Sequence, residues 1–89
     1  MTDQERVQEI TKAAARVFYW MTRTAEAMEQ GREMFSAHNI GSAHACDLEK
    51  EKARAGWQFC ELADWAQIMK NARKFASDQR KQEIKRGEY

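Results

Sequence analysis

The residues best suited to chemistry in this chain lie near its middle: His38, His44, Cys46 and Asp47. Imidazole, thiolate and carboxylate are ligands that zinc prefers. The arrangement His38-x5-His44-x-Cys46 matches no established metal spacing, and C-x-x-C and H-E-x-x-H patterns are absent. On a helix His44 and Cys46 point about 200° apart, so they converge only if that stretch is not helical. A Cys–His nucleophile would need a base, an orienting group and an oxyanion hole in a cleft. Phosphate-cradling glycine loops and serine elbows are missing too. The expectation is a non-enzymatic protein with no cofactor and no metal site.

The second cysteine, Cys60, follows Cys46 at a distance of about 21 Å along a helix. A disulfide needs Cα atoms within about 7 Å, so the two read as reduced thiols. No charged-then-apolar leader opens the sequence and no apolar run is long enough to span a bilayer. Both points lead to the expectation of a cytoplasmic protein away from membranes.

The elements that would carry these residues are helices. Proline is absent from the 89 residues, 43% of them are hydrophobic and 33% are charged. Good helix formers dominate, and long β-branched runs are missing. Thr2 with Glu5 is a capping-box pair, which starts a helix near Asp3. Val7, Ile10, Ala14, Val17, Met21, Thr24, Met28, Gly31 and Phe35 then form a heptad-like, coiled-coil seam. Asn39 or Gly41 can end that helix, and Ser42 can cap the next. The reading is one domain over residues 1–89: a helix over about 3–37, a turn at 38–42, and a helix over about 43–85.

A short connection folds two such helices back antiparallel, each on the order of 50 to 60 Å long. One apolar stripe per helix would serve the hairpin. A second stripe remains: Trp20, Ala27 and Met34 on the first helix, Trp57, Ile68 and Phe75 on the second. A large exposed apolar patch marks an interface. The simplest cover is a second copy, making a homodimeric four-helix bundle. The alternative is a three- or four-helix monomer broken near Gly31 or Gly56.

Net charge is +1, so no overall field steers the chain to nucleic acid or anionic lipid. Locally, Arg73, Lys74, Arg80, Lys81, Lys85 and Arg86 make the C-terminal end basic, while Asp3, Glu5 and Glu9 make the N-terminal end mildly acidic. An antiparallel hairpin would set those ends side by side. The basic cluster offers contacts to an acidic protein partner or, as the competing reading, to phosphates of a nucleic acid.

The two-helix plan is similar to the WXG-type secreted hairpins, but the turn reads His38-Asn39-Ile40-Gly41 and the Gly56-Trp57 pair lies inside helix two. It also looks like small plasmid RNA-binding hairpins, in architecture alone. Neither resemblance assigns a family. The functional expectation is a regulator, inhibitor or adaptor that docks on a larger host protein or complex. Its size and type are those of phage- or mobile-element-encoded regulators. Trp20, Met34, Trp57, Ile68 and Phe75 would form the docking or dimer face.

Overall fold

Helix α1 spans Asp3–Glu29 and starts where the capping pair places it: the Thr2 hydroxyl accepts from the Glu5 amide at 3.2 Å. Asp3 and Glu5 in the first turn complement the positive end of the helix dipole. The computed structural model describes residues 2–31 and 35–88, the side chains of 35–38 excepted. Helix α2 covers Phe35–Ala55, α3 covers Trp57–Leu62, and α4 covers Trp65–Lys85. No strand occurs among the described residues.

The first reversal sits earlier than the sequence reading places it. Gly31 has φ +65°, a left-handed conformation that favours glycine, and its amide donates to the Met28 carbonyl at 3.2 Å. It ends α1. Residues 38–42, expected as the turn, lie inside α2. Gly41 has a different task there. A Cβ at Gly41 would stand 3.4 Å from the Cβ of Trp20, so α2 rests on α1 here with room for a methyl group and little more. Gly31 and Gly41 are both helix-stop signals when read by residue type alone, and of these two Gly31 stops a helix.

The second expected helix is also divided. Gly56, at φ +95°, ends α2. Ala63 is extended, and the Asp64 carboxylate caps α4 by accepting from the Gln67 amide at 3.1 Å. The Trp65 indole N–H donates to the Cys60 carbonyl at 2.7 Å and pins this corner. The break near Gly56 belongs to the compact alternative. A two-helix hairpin is not what the described residues form.

α1 is the spine, with α2 and α4 both packed on it. α2 runs antiparallel to α1, and α4 returns parallel to it. The basic end of α4 therefore lies beside Glu26, not beside Asp3 as an antiparallel hairpin would have it. The longest dimension is 43 Å, close to the ~40 Å length of a helix the size of α1.

The core sits around the N-terminal half of α1. Ile10, Ala55 and Ile68 are buried together, with Val7, Leu48, Phe59, Trp65 and Met69 packed around them. Alanines at 13, 14, 72 and 76 are also buried and let the helices approach closely. Ile68, expected on an outer face, is only 3% exposed. It is core. The chain buries it by breaking at Gly56 and Asp64, with no second copy needed.

Candidate protein-docking surface

The C-terminal half of α1 is built differently from the half that carries the core. On the side facing α4 it presents Tyr19, Arg23 and Glu26, one polar line at helical steps of four and three. Arg80 of α4 reaches into that line. Its Nε donates to both Glu26 carboxylate oxygens at 2.8 Å. Its Nη1 donates to Glu83 at 3.3 Å and to the Glu88 carbonyl at 2.9 Å. The Tyr19 hydroxyl donates to Glu83 at 2.7 Å and accepts from Arg23 at 3.0 Å.

Arg80 is 6% exposed and spends its donors inside the fold. It is not the free basic contact that the sequence reading makes it. Its hydrogen bonds to Glu26 hold the guanidinium pKa above the ordinary arginine value, against the opposing cost of burial. Burial pushes the Glu83 carboxyl up. Hydrogen bonds from Tyr19, Arg80 and Gln79 outweigh it and hold that carboxyl below its usual value. Burial and the bond to Glu83 raise the Tyr19 hydroxyl.

On the side facing α2, Trp20 is half-buried. It meets Tyr19 edge-on at 5.2 Å and lies parallel to His44, ring centroids 6.4 Å apart. Its expected place on an outer face is thus an α1–α2 contact.

Between these two sides the apolar seam of α1 surfaces. Met21 is 59% exposed and Met28 61%. Two grooves flank Met21. One, of about 360 Å³, runs against α4 and is lined by Phe18, Thr22, Arg73, Ser77, Lys81 and Ile84 among others. The other, of about 400 Å³, runs against α2 and is lined by Val17, Trp20, Met28, Gly41, Ser42 and Ala45 among others. Toward the N-terminus the same seam is covered around Ile10 by Leu48, Phe59 and Ile68. From Val17 onward the described residues cover it only in part: Val17 and Thr24 are half-buried, while Met21 and Met28 stay exposed.

Charge is uneven along this opening. On the α4 wall, Lys70, Arg73, Lys74, Lys81 and Lys85 are exposed and form no ion pair among the described residues. The Arg73 guanidinium lies 5.0 Å over the Phe18 ring, which holds it at the groove edge. Arg86 is engaged by Glu88 at 2.9 Å. The α2 wall, by contrast, is small and uncharged at Gly41, Ser42 and Ala45.

The rest of the expected face does not assemble. Trp57 is 74% exposed, but it sits on the short α3 beside Arg6, Leu62 and Asp64, around a separate hollow near the start of α1. Phe75 is exposed on α4, away from Trp57. Met34 lies outside the described residues. Met21 and Met28 were missed as surface because they continue the seam that Val7 and Ile10 begin. The polar line Tyr19-Arg23-Glu26 was the legible sign that this half of α1 packs by other means.

The residues considered first, for metal or nucleophile chemistry, do not converge. His44 and Cys46 are both on α2, the side chain of His38 lies outside the described residues, and His44 Nδ1 stands 3.8 Å from Asp47. No group of three metal-ligating side chains occurs among the described residues. Both thiols are free, and that of Cys60 donates to the Lys52 carbonyl at 3.6 Å. No described helix is long and apolar enough to cross a membrane. No protein-family model matches the chain, and no curated protein or solved structure does either.

Proposed function

We propose that this chain is a small non-enzymatic binding protein, a regulator, inhibitor or adaptor that docks on a larger protein. The observation that carries the reading is the apolar strip on α1, with Met21 and Met28 exposed and Val17 and Phe18 half-buried beside them, framed by two helices of the same chain. Flexible methionines in such a position suit a surface that must adapt to a partner. The support is a surface of the right kind. The partner's identity would come from capture.

Affinity capture from the source cell, with the intact chain and with Met21→Asp/Met28→Asp, tests this directly. A discrete protein retained by the first and lost by the second is the expected result. A capture profile unchanged by the substitutions would overturn the reading. Sedimentation of the free chain belongs beside it, because a homodimer using the same strip would also occupy it. A species twice the 10.4 kDa chain mass that disappears with Met21→Asp would assign the strip to self-association.

One observation favours nucleic acid as a second reading: the unpaired cations at 70, 73, 74, 81 and 85. Such a side-by-side array contacts phosphates and gives strongly salt-dependent affinity. A gel shift at low salt with duplex and single strands separates the two readings, since phosphate binding needs Lys74 and Lys81 and does not need Met21.

A further inference from the structure

We infer that the opening on the C-terminal half of α1 seats one acidic amphipathic helix of a partner protein, lying along α1 between α2 and α4. The inference rests on the docking function proposed above and specifies its site and its occupant.

Shape comes first. From Val17 to Met28 the strip runs roughly 17 Å, about three helical turns. Its floor presents apolar side chains, and the grooves on either side of Met21 accept a neighbour's ridges. The wall at Gly41, Ser42 and Ala45 has little side chain to keep another backbone away. A helix with apolar residues at i, i+3 or i+4, and i+7 fits such a floor.

Charge selects the kind of helix. The α4 wall offers Arg73 and Lys81 at the groove itself, with Lys70, Lys74 and Lys85 further along the same flank. Arg73 is already oriented by the Phe18 ring, so part of its ordering cost is met before binding. Carboxylates along one edge of an incoming helix would meet these cations, while a basic helix would be repelled. Among the described residues, a second copy of this chain offers no exposed apolar helix face lined with a row of acids. Its outward aromatic residue on α4, Phe75, is neighboured along that face by Asn71, Asp78, Gln79 and Gln82, a single acid. The other large exposed patch, Trp57 with Leu62, mixes Asp3, Arg6 and Asp64 at its edge and selects neither sign.

The test uses the full chain and fluorescence anisotropy at low salt. The probe is a labelled synthetic helix of ~18 residues, long enough to hold helical structure, with a leucine stripe flanked by glutamates. Controls replace the glutamates with lysines, or the peptide with labelled single- and double-stranded DNA. The glutamate peptide is expected to bind at least about tenfold more tightly than the lysine peptide. Met21→Asp weakens it by about tenfold or more, because the apolar anchor is lost. Arg73→Glu/Lys81→Glu reverses the preference so that the lysine peptide binds better. All of these residues are exposed, and circular dichroism verifies that each variant keeps its helices.

Equal binding of the two peptides, no binding of either, or DNA binding that outcompetes the glutamate peptide would each overturn the inference. So would a dimer that blocks the peptide and dissociates with Met21→Asp. If capture from the cell depends on Met21 while the glutamate peptide fails to bind, the docking reading stands and the acidic-helix assignment falls. If capture does not depend on Met21, the docking reading itself falls.

Discussion

The two halves of α1 are held in place by opposite kinds of contact. Around Ile10 the helix is enclosed on apolar side chains from α2, α3 and α4. Around Glu26 it is joined to α4 through Arg80, Glu83, Tyr19 and Arg23, and its apolar seam stays in water. The reason is topological. The chain passes from α2 to α4 through α3 at one end, and that end gains a cover over the seam. At the other end α2 begins and α4 finishes, and no described segment joins them over Met21 and Met28. A half-buried ion network centred on Arg80 joins two helices there on one side without the bulk that would also fill the groove. It therefore separates holding the fold from covering the seam, which an apolar contact does together.

Weakening each half in turn should give losses of different size and reach. Ile10→Ala, at a fully buried site, should cost about 3 kcal/mol by urea unfolding, through lost burial and the cavity left behind. Arg80→Ala leaves Glu26 and Glu83 with only the longer contacts to Arg23, at 3.8 and 3.9 Å, and should cost about 2 kcal/mol, less than a fully buried pair because Glu26 remains a quarter exposed. Hydrogen exchange should then separate the variants. Ile10→Ala lowers protection throughout, whereas Arg80→Ala opens the last turns of α4 first. Equal loss of protection at both ends would remove the distinction between the halves.

Acid should reach the charged half first. The Glu83 carboxyl titrates lower in the fold than in the unfolded chain. Its stabilising contribution is therefore complete above the ordinary value of 4.5 and is lost as pH falls through the lower folded value. Tyr19 has the opposite sign: its pKa is raised, so its contribution holds below 10.0 and is lost as pH rises through the folded value. Glu83→Gln should flatten the acid limb of a stability–pH profile. An unchanged limb would show that other carboxylates set it.

The two glycines give a smaller effect but one of contrasting sign. Gly31→Ala forces a side chain into a left-handed conformation and should destabilise by about 1 kcal/mol. Gly41→Ala adds a Cβ at ordinary contact distance inside a helix and should stabilise by up to about 1 kcal/mol, while Gly41→Leu should push α2 off Trp20. The smallest expected change is Met21→Asp, within about 0.5 kcal/mol in stability, because the side chain is mostly in water already.

The same contrast explains what was legible in the sequence. The all-helical class, the start at Thr2–Glu5 and the N-terminal half of the seam follow from periodicity and capping, which are local properties. The break at Gly56 was legible only as an alternative, because a glycine's type does not reveal its φ. For that reason the break near Gly31 is likewise legible only as an alternative, and Gly41, expected as a helix end, lies inside α2. Arg80 could not be placed at all, since its main partner, Glu26, is 54 residues away. Only its spacing to Glu83 was local. The exposure of Met21 and Met28 depends on where α2 and α4 diverge, which is a property of chain direction and not of residue pattern.

The stacking of Trp20 on His44 has an optical consequence. The two rings are nearly parallel, 13° apart, and they join α1 to α2 without involving α4. Trp57 faces solvent, and Trp65 is tied to the corner before α4. Each indole thus witnesses a different joint. A chain that keeps only Trp20 would report, by its emission, chiefly the parting of α2 from α1, with Tyr19 at 5.2 Å as its one neighbour tied to α4. The order in which the two outer helices leave the spine could then be watched one joint at a time.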